Sequence, residues 1–299
     1  MSDRDDLIKR ISQLESELNE KNQELALYRR KLEGLNSEVE SLIKKLSQEV
    51  FLAQKIQRTL SPTDVPNIPG FDFSTKFIPG HQGGGDYFDI FELNNRMNFA
   101  VLLSQSSGYG ASATFLSVLI KLLSRKESKN FNQPSEFVEL IRREIAPQLT
   151  DGDELHVVVA IVNRRTLELS YCCAGEIPSV VRSGGNEDLI TLDAQTGPLT
   201  KKSPEINVET QFMRMDLHPK DAIVFASRGL VQTLGKNGTF WGMDGLKDAI
   251  TAGPKPGVHE LRNEILYQLE RFAGTDTPVR DWTVVATEVK ERVMKLAPN

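Results

Sequence analysis

Near the start of the chain, apolar residues recur at alternating steps of four and three. Leu7, Ile11, Leu14, Leu18, Lys21, Leu25, Tyr28, Leu32, Leu35, Val39, Leu42 and Leu46 mark twelve seam positions, eleven of them apolar. A strip with a 3.5-residue period asks for a second helix to cover it, so the pattern predicts a coiled coil. With Ile11, Leu18, Leu25, Leu32, Val39 and Leu46 at a positions, a parallel pair would set Arg10 against Glu15 and Glu24 against Arg29. Lys21, at a d position, disfavours competing registers. The expectation is a parallel homodimer through residues 7–46, a rod of about 60 Å at about 1.5 Å per residue. A long amphipathic helix folded back on its own domain is the alternative.

Helical spacing continues through Val50, Ala53, Ile56 and Leu60, until Pro62, Pro66 and Pro69 end it. Each proline lacks an amide donor and restricts the residue before it. Residues 1–60 are therefore expected as a coiled-coil helix, 61–70 as a proline-rich linker, 71–291 as a globular domain and 292–299 as a tail. Within the domain the pattern changes to short β-like runs: FDFSTKF, YFDIFEL, MNFAVLLS, LHVVVAIV, LELSYCC, NVETQFMRM, DAIVFAS and WTVVATEV. Helical spacing returns in ATFLSVLIKLLSRK, SEFVELIRREI and VHELRNEILYQLERF. Hairpin-like connections such as NRRT and SGG favour antiparallel pairing, with helices as covering layers, which reads as an α+β layered domain and not a Rossmann unit. No internal repeat stands out apart from the heptads.

Composition narrows the function classes. The formal charge of −5 over 299 residues argues against a nucleic-acid partner, which needs clustered Lys and Arg. The longest apolar runs, such as VVVAIV, are too short to span a bilayer, so no membrane partner and a cytoplasmic location are expected. Cys172 and Cys173, the two cysteines, are adjacent on an expected strand, where their side chains point to opposite faces and do not pair.

The sharpest local signal is GGGDYFDIF, where glycines lead into a strand bearing Asp86 and Asp89. Carboxylates after flexible backbone suit a hard cation such as Mg²⁺ or Mn²⁺, although a turn with solvated acids gives the same letters. A second signal is LLSQSSGYG, a strand opening into a small-residue loop that offers no carboxylate, histidine or cysteine. His81 lies in the loop before the glycines, where loop polarity accounts for it, and His156, His218 and His259 lack ligand-like spacing and are expected to be structural.

Taken in order, AQKIQRTLSP, IPGFDF, IPGHQGGGDYFDIF, SSGYGASAT, SYCCAGEIPSVVRS, GPL, LHPKDAIVFASRGLVQTL and RDWTVVATEV resemble the SpoIIE-type branch of the PPM metal-dependent serine/threonine phosphatases. That group includes RsbU-like regulators of bacterial partner-switching pathways, and the likeness covers about residues 50 to 290. It implies a four-layer α-β-β-α sandwich with a two-metal site at one end of the paired sheets. Of the four aspartates the family uses, Asp86 matches the first. The second position is Gln105, the third Arg228 in Ser227-Arg228-Gly229, and the fourth Arg280, one residue before Asp281. The family's Ala-Gly-His turn is Ala174-Gly175-Glu176 here.

These departures imply a loop that kept its glycines and lost its acid. Metal-dependent phosphoryl hydrolysis needs carboxylates to hold the ions that generate the nucleophile. A guanidinium about 4 Å from a divalent ion adds roughly 8 kcal/mol of repulsion at an effective dielectric of 20. The reading that follows is a catalytically degenerate domain on a dimerising helix, with no cofactor and with a protein partner in phosphorylated or plain form. In it Arg228 and Arg280 fill the vacant cation sites and pair with Asp86 or Asp89. The alternative is an active phosphoserine or phosphothreonine phosphatase using Mg or Mn on a reduced site of Asp86, Asp281 and the Gly108 carbonyl.

Overall fold

The computed structural model describes residues 2–60, 65–81, 85–94, 97–108, 110–127, 131–185, 188–254 and 257–291. The chain divides into two units, Met1–Glu49 and Val50–Asn299. Parts of the expected linker (61–64), the glycine run (82–84) and the tail (292–299) lie outside the described residues.

The first unit is helical throughout, as the start of α1 (Ser2–Leu60). Its seam residues from Ile11 to Leu42 are 48–63% exposed in the single chain, with Lys21 drawn to Glu24 at 2.7 Å.

Among the described residues of the second unit ten strands form two antiparallel sheets. One holds β1 (Phe71–Ile78), β10 (Trp282–Val289), β9 (Ala222–Ala226), β6 (Ser179–Arg182) and β7 (Leu189–Thr191), in that order. The other holds β2 (Gly85–Glu92), β3 (Asn98–Ser106), β4 (Leu155–Asn163), β5 (Glu168–Ala174) and β8 (Met213–Asp216). The β1–β10 sheet carries α5 (Gly242–Ala252) and α6 (Val258–Ala273) on its outer face. The β2–β3 sheet carries α2 (Gly110–Glu127) and α3 (Pro134–Glu144). This is the α-β-β-α sandwich of the PPM phosphatases.

Period-two alternation sorts the side chains into three cores. Phe88, Ile90, Val101, Leu103, Val158, Ala160, Phe225 and Val285 meet between the sheets. Tyr87, Leu102, Val157 and Val159 face α2 and α3, and Val224, Val284 and Ala286 face α5 and α6. Each fully buried side chain of this kind contributes about 1.5–3 kcal/mol. The adjacent cysteines divide the same way: Cys173 lies between the sheets and Cys172 under the helices, both unpaired. Burial pushes both thiols up, Cys172 to about 12 and Cys173 to about 11.

The structure adds β6, β7 and α5 to the expected elements. It also shortens the run NVETQFMRM to its last part, β8. β6 is a four-residue SVVR and β7 a three-residue LIT, too short for alternation to reveal.

Candidate functional site

At one end of the inter-sheet core the apolar layers give way to polar ones without a change of face. Asp86 lies two residues before Phe88, Gln105 two after Leu103, and His156 two before Val158. Asp86 pairs with Gln105 across β2 and β3, and Gln105 with His156 across β3 and β4. From the opposite sheet come Ser227, just after β9, Asp281, just before β10, and Thr283, the second residue of β10. All six are buried.

Two carboxylates meet here. The Thr283 hydroxyl donates to Asp86 Oδ2 at 2.7 Å, while the Asp86 amide donates to Asp281 Oδ2 at 3.3 Å. The Gly80 amide donates to Asp281 Oδ1 at 2.8 Å. Asp86 Oδ1 is a buried acceptor with no donor. Burial and the Asp281 charge hold the Asp86 carboxyl well above the usual range, opposed by the Thr283 hydrogen bond and the nearby Ser227 hydroxyl. The wall around Asp281 is close. Ser227 Oγ donates to its carbonyl at 3.0 Å, and a Cβ on Gly229 would lie 2.0 Å from that same oxygen. Only glycine fits at 229, which accounts for the Arg-Gly pair opening α4 (Arg228–Val231).

The other half of the cleft is built on Arg228 and His156. The Arg228 amide donates to Gln105 Oε1 at 3.0 Å, and its Nη1 lies against His156 Nε2. His156 Nδ1 accepts the Glu176 amide at 3.0 Å, beneath the left-handed Gly175 (φ 76°), where a Cβ would meet the ring. His156 Nε2 also lies 3.3 Å from Glu154 Oε2. Burial and the Arg228 charge lower the His156 pKa, and Glu154 and Glu176 oppose them. The loop after β3 is tied to the same region. The Ser107 amide donates to the Glu154 carbonyl and the Glu154 amide to Ser107 Oγ, each at 2.8 Å. The Gly108 amide donates to Ser106 Oγ at 3.2 Å.

Several expected placements are corrected. Asp89 is not in the cleft. Three residues from Asp86 on one strand, it faces α2, where it accepts hydrogen bonds from Tyr87 at 2.8 Å and Ser124 at 3.5 Å. Arg280 fills no cation site: it is exposed and donates to Gln232 Oε1 at 2.8 Å. Its neighbour Asp281 turns inward instead, because β10 alternates from that residue on. Arg228 meets His156 and not an aspartate. Glu176 is exposed and reaches the cleft through its backbone. His156, expected to be structural, lies in the cleft, and Ser227 and Thr283 join it. Pairing LHVVVAIV antiparallel with MNFAVLLSQ would have placed His156 opposite Gln105.

The family model described as Stage II sporulation protein E (SpoIIE) matches residues 95–290. The chain belongs to the SpoIIE family. SpoIIE-type relatives share both sequence and fold with it. Phosphoserine phosphatase RsbU of Bacillus subtilis is 23% identical over 209 residues, 69% of this chain and 58% of RsbU. The chain thus spans little more than half the length of that relative. The SiaA-PP2C domain of Pseudomonas aeruginosa superposes with a TM-score of 0.62 at 15% identity, covering 83% of this chain and 97% of that one. The PP2C phosphatase domain of SpoIIE from Bacillus subtilis, with a fragment of its regulatory domain, gives 0.61 at 18% identity, covering 74% and 65%.

The SpoIIE fold implies a two-metal centre, and the donors of this cleft do not fit one. Among the described residues no three His, Cys, Asp or Glu side chains converge to hold an ion. Asp86 and Asp281 supply carboxylates, but the positions beside them carry an amide, Gln105, and a guanidinium, Arg228. A cation at the Gln105 side would face the Arg228 charge where an amide, and not a carboxylate, is the side chain at position 105.

Proposed function

We propose that this SpoIIE-family chain is a dimeric signalling or scaffold protein whose phosphatase fold binds and does not hydrolyse. The observation that carries this reading is the joining of Gln105 and Arg228. They stand where the family resemblance calls for two aspartates, they are hydrogen-bonded to each other, and the guanidinium is directed at His156. Without carboxylates there, no metal-activated water forms to attack phosphorus. The α1 helix, with its exposed apolar seam, serves to pair two copies in parallel. Calorimetry of the full chain with Mn²⁺ and turnover of p-nitrophenyl phosphate test the reading together. No tight uptake, and a background rate identical in Asp86→Ala, are expected. Tight uptake with turnover that disappears in Asp86→Ala overturns it.

A second reading has one specific support, the orphaned Asp86 Oδ1 beside the Asp281 carboxylate. A single divalent ion there would satisfy that oxygen and draw Asp86 back to its charged form. The chain would then act as a Mg- or Mn-dependent phosphoserine or phosphothreonine phosphatase of a partner-switching pathway; the relative RsbU is named a phosphoserine phosphatase.

A further inference from the structure

Directly outside the Arg228 side of the cleft the chain builds a small, rigid apolar knob. After α4 it turns back through a hairpin-like loop in which Leu234 and Phe240 form an antiparallel bridge. Three backbone bonds hold the loop: Trp241 to Thr233, Gly235 to Thr239 and Gly238 to Gly235, each 2.9 Å. Gly235 rests on the Phe272 ring of α6, where a Cβ would lie 2.8 Å from the nearest ring carbon. Yet Leu234 is 55% and Phe240 63% exposed. Val279, 61% exposed, lies in the irregular segment leading into β10, which the Arg280–Gln232 and Trp282–Thr233 hydrogen bonds of 2.8 and 2.9 Å tie to the start of the loop. A single exposed Leu needs no explanation, but three large apolar side chains held on rigid backbone at the lip of a cleft mark a binding surface.

The surrounding charge says what covers it. Within residues 228–240 and 275–280 the charged side chains are Arg228, Lys236 and Arg280 against Asp276, a positive island on a chain of net charge −5. We propose that this lip is a docking surface for an acidic protein segment carrying apolar anchors. The anchors seat on Leu234, Phe240 and Val279 while carboxylates face Arg280 and Lys236. The proposal deepens the non-hydrolytic reading by giving it a partner chemistry. A phosphoryl dianion is disfavoured as the anion, because entering the cleft would bring it against Asp86 and Asp281.

The test is fluorescence anisotropy on the full chain with a short labelled peptide in which Asp and Glu flank Leu and Phe. One control peptide carries Lys in place of the acids, and another Ser in place of Leu and Phe. The acidic apolar peptide is expected to bind at least about tenfold tighter than either control and to weaken with salt. Leu234→Ser with Phe240→Ser should weaken it by about tenfold or more. Lys236→Glu, which touches no core residue, should also weaken it, while Ile190→Ser on the distant edge strand β7 should not. Equal binding of the acidic and basic peptides, or no change in these lip variants, overturns the proposal. A phosphoserine peptide that binds more than tenfold tighter than its Glu counterpart overturns the choice of carboxylate. Measuring p-nitrophenyl phosphate turnover in the same samples separates the outcomes: turnover refutes the inactive reading, and loss of peptide discrimination refutes the docking.

Discussion

Asp86→Asn is expected to stabilise the protein at neutral pH, the reverse of what removing a working metal ligand would do. Asp86 is 5% exposed, receives one hydroxyl donor on Oδ2 and leaves Oδ1 unpaired beside a second carboxylate. An unsatisfied buried acceptor costs about 1–3 kcal/mol, and a hydrogen bond to a charged acceptor contributes about 1.5–3 kcal/mol. The asparagine carbonyl can keep the Thr283 bond while its amide turns to the Asp281 carboxylate. A net gain of about 2 kcal/mol follows, or about 4–8 °C in Tm for a globular unit of this size. The gain depends on pH. Because burial and Asp281 raise the Asp86 pKa in the folded state, the folded protein holds a proton that the unfolded chain releases. The stability this contributes is complete below the ordinary carboxylate range and is lost as pH rises through the folded value. The variant should therefore exceed the natural protein most clearly at pH 8 and least at pH 4.5, as read by circular dichroism melts in EDTA. A lower Tm for Asp86→Asn at pH 8 in EDTA would refute the reasoning, because it would show the ionised carboxylate to be well compensated without metal.

Gly229→Ala drives a methyl carbon to 2.0 Å from the Asp281 carbonyl. It should cost about 3 kcal/mol, seen as a shift in the denaturation midpoint, since strand β10 must move to admit it. Leu25→Asp with Leu32→Asp places charge at two adjacent a positions of the exposed seam. The expected outcome is a monomer by light scattering, with the melt of the globular unit unchanged, and a mass that stays dimeric would remove residues 7–46 as the interface. Gln105→Asp with Arg228→Asp returns two carboxylates to the cleft. The double variant should take up Mn²⁺ in a titration where the natural protein shows no tight binding, and equal uptake by both would count against the degenerate-site reading.

Much of the sandwich was legible because its longer strands are apolar runs of strand length bounded by turn residues. MNFAVLLS and WTVVATEV bury both faces, one between the sheets and one under helices, and read as near-continuous runs, while FDFSTKF at the sheet edge mixes buried and exposed positions. The site was less legible, and the misplacements share one cause. Asp86 and Asp89 look like a pair in GGGDYFDIF, but an odd separation on one strand sends them to opposite faces of the sheet. Arg280 and Asp281 differ by one residue, and the same alternation decides which enters the cleft. Positional matching to a family tolerates a one-residue slip, whereas a strand does not. His156 was missed for the opposite reason: its cleft neighbours Gln105 and Arg228 are more than fifty residues away in sequence, and only the fold brings them to it.

The residues that set chemistry here lie beyond the last apolar layer of each strand, and this explains how the fold can stay while the metal ligands go. Phe88, Leu103, Val158, Phe225 and Val285 close the inter-sheet core without help from Asp86, Gln105, His156, Ser227 or Asp281. Exchanging an aspartate for Gln105 or Arg228 removes little apolar burial, and two buried carboxylates without an ion repel each other in any case. On the degenerate-site reading proposed above, an amide at 105 and a guanidinium at 228 would avoid that repulsion. The cleft is lined by hydrogen-bonded polar groups. Its Arg228 lip carries the apolar loop of Leu234 and Phe240, on a scaffold whose rigidity comes from the sheets behind it.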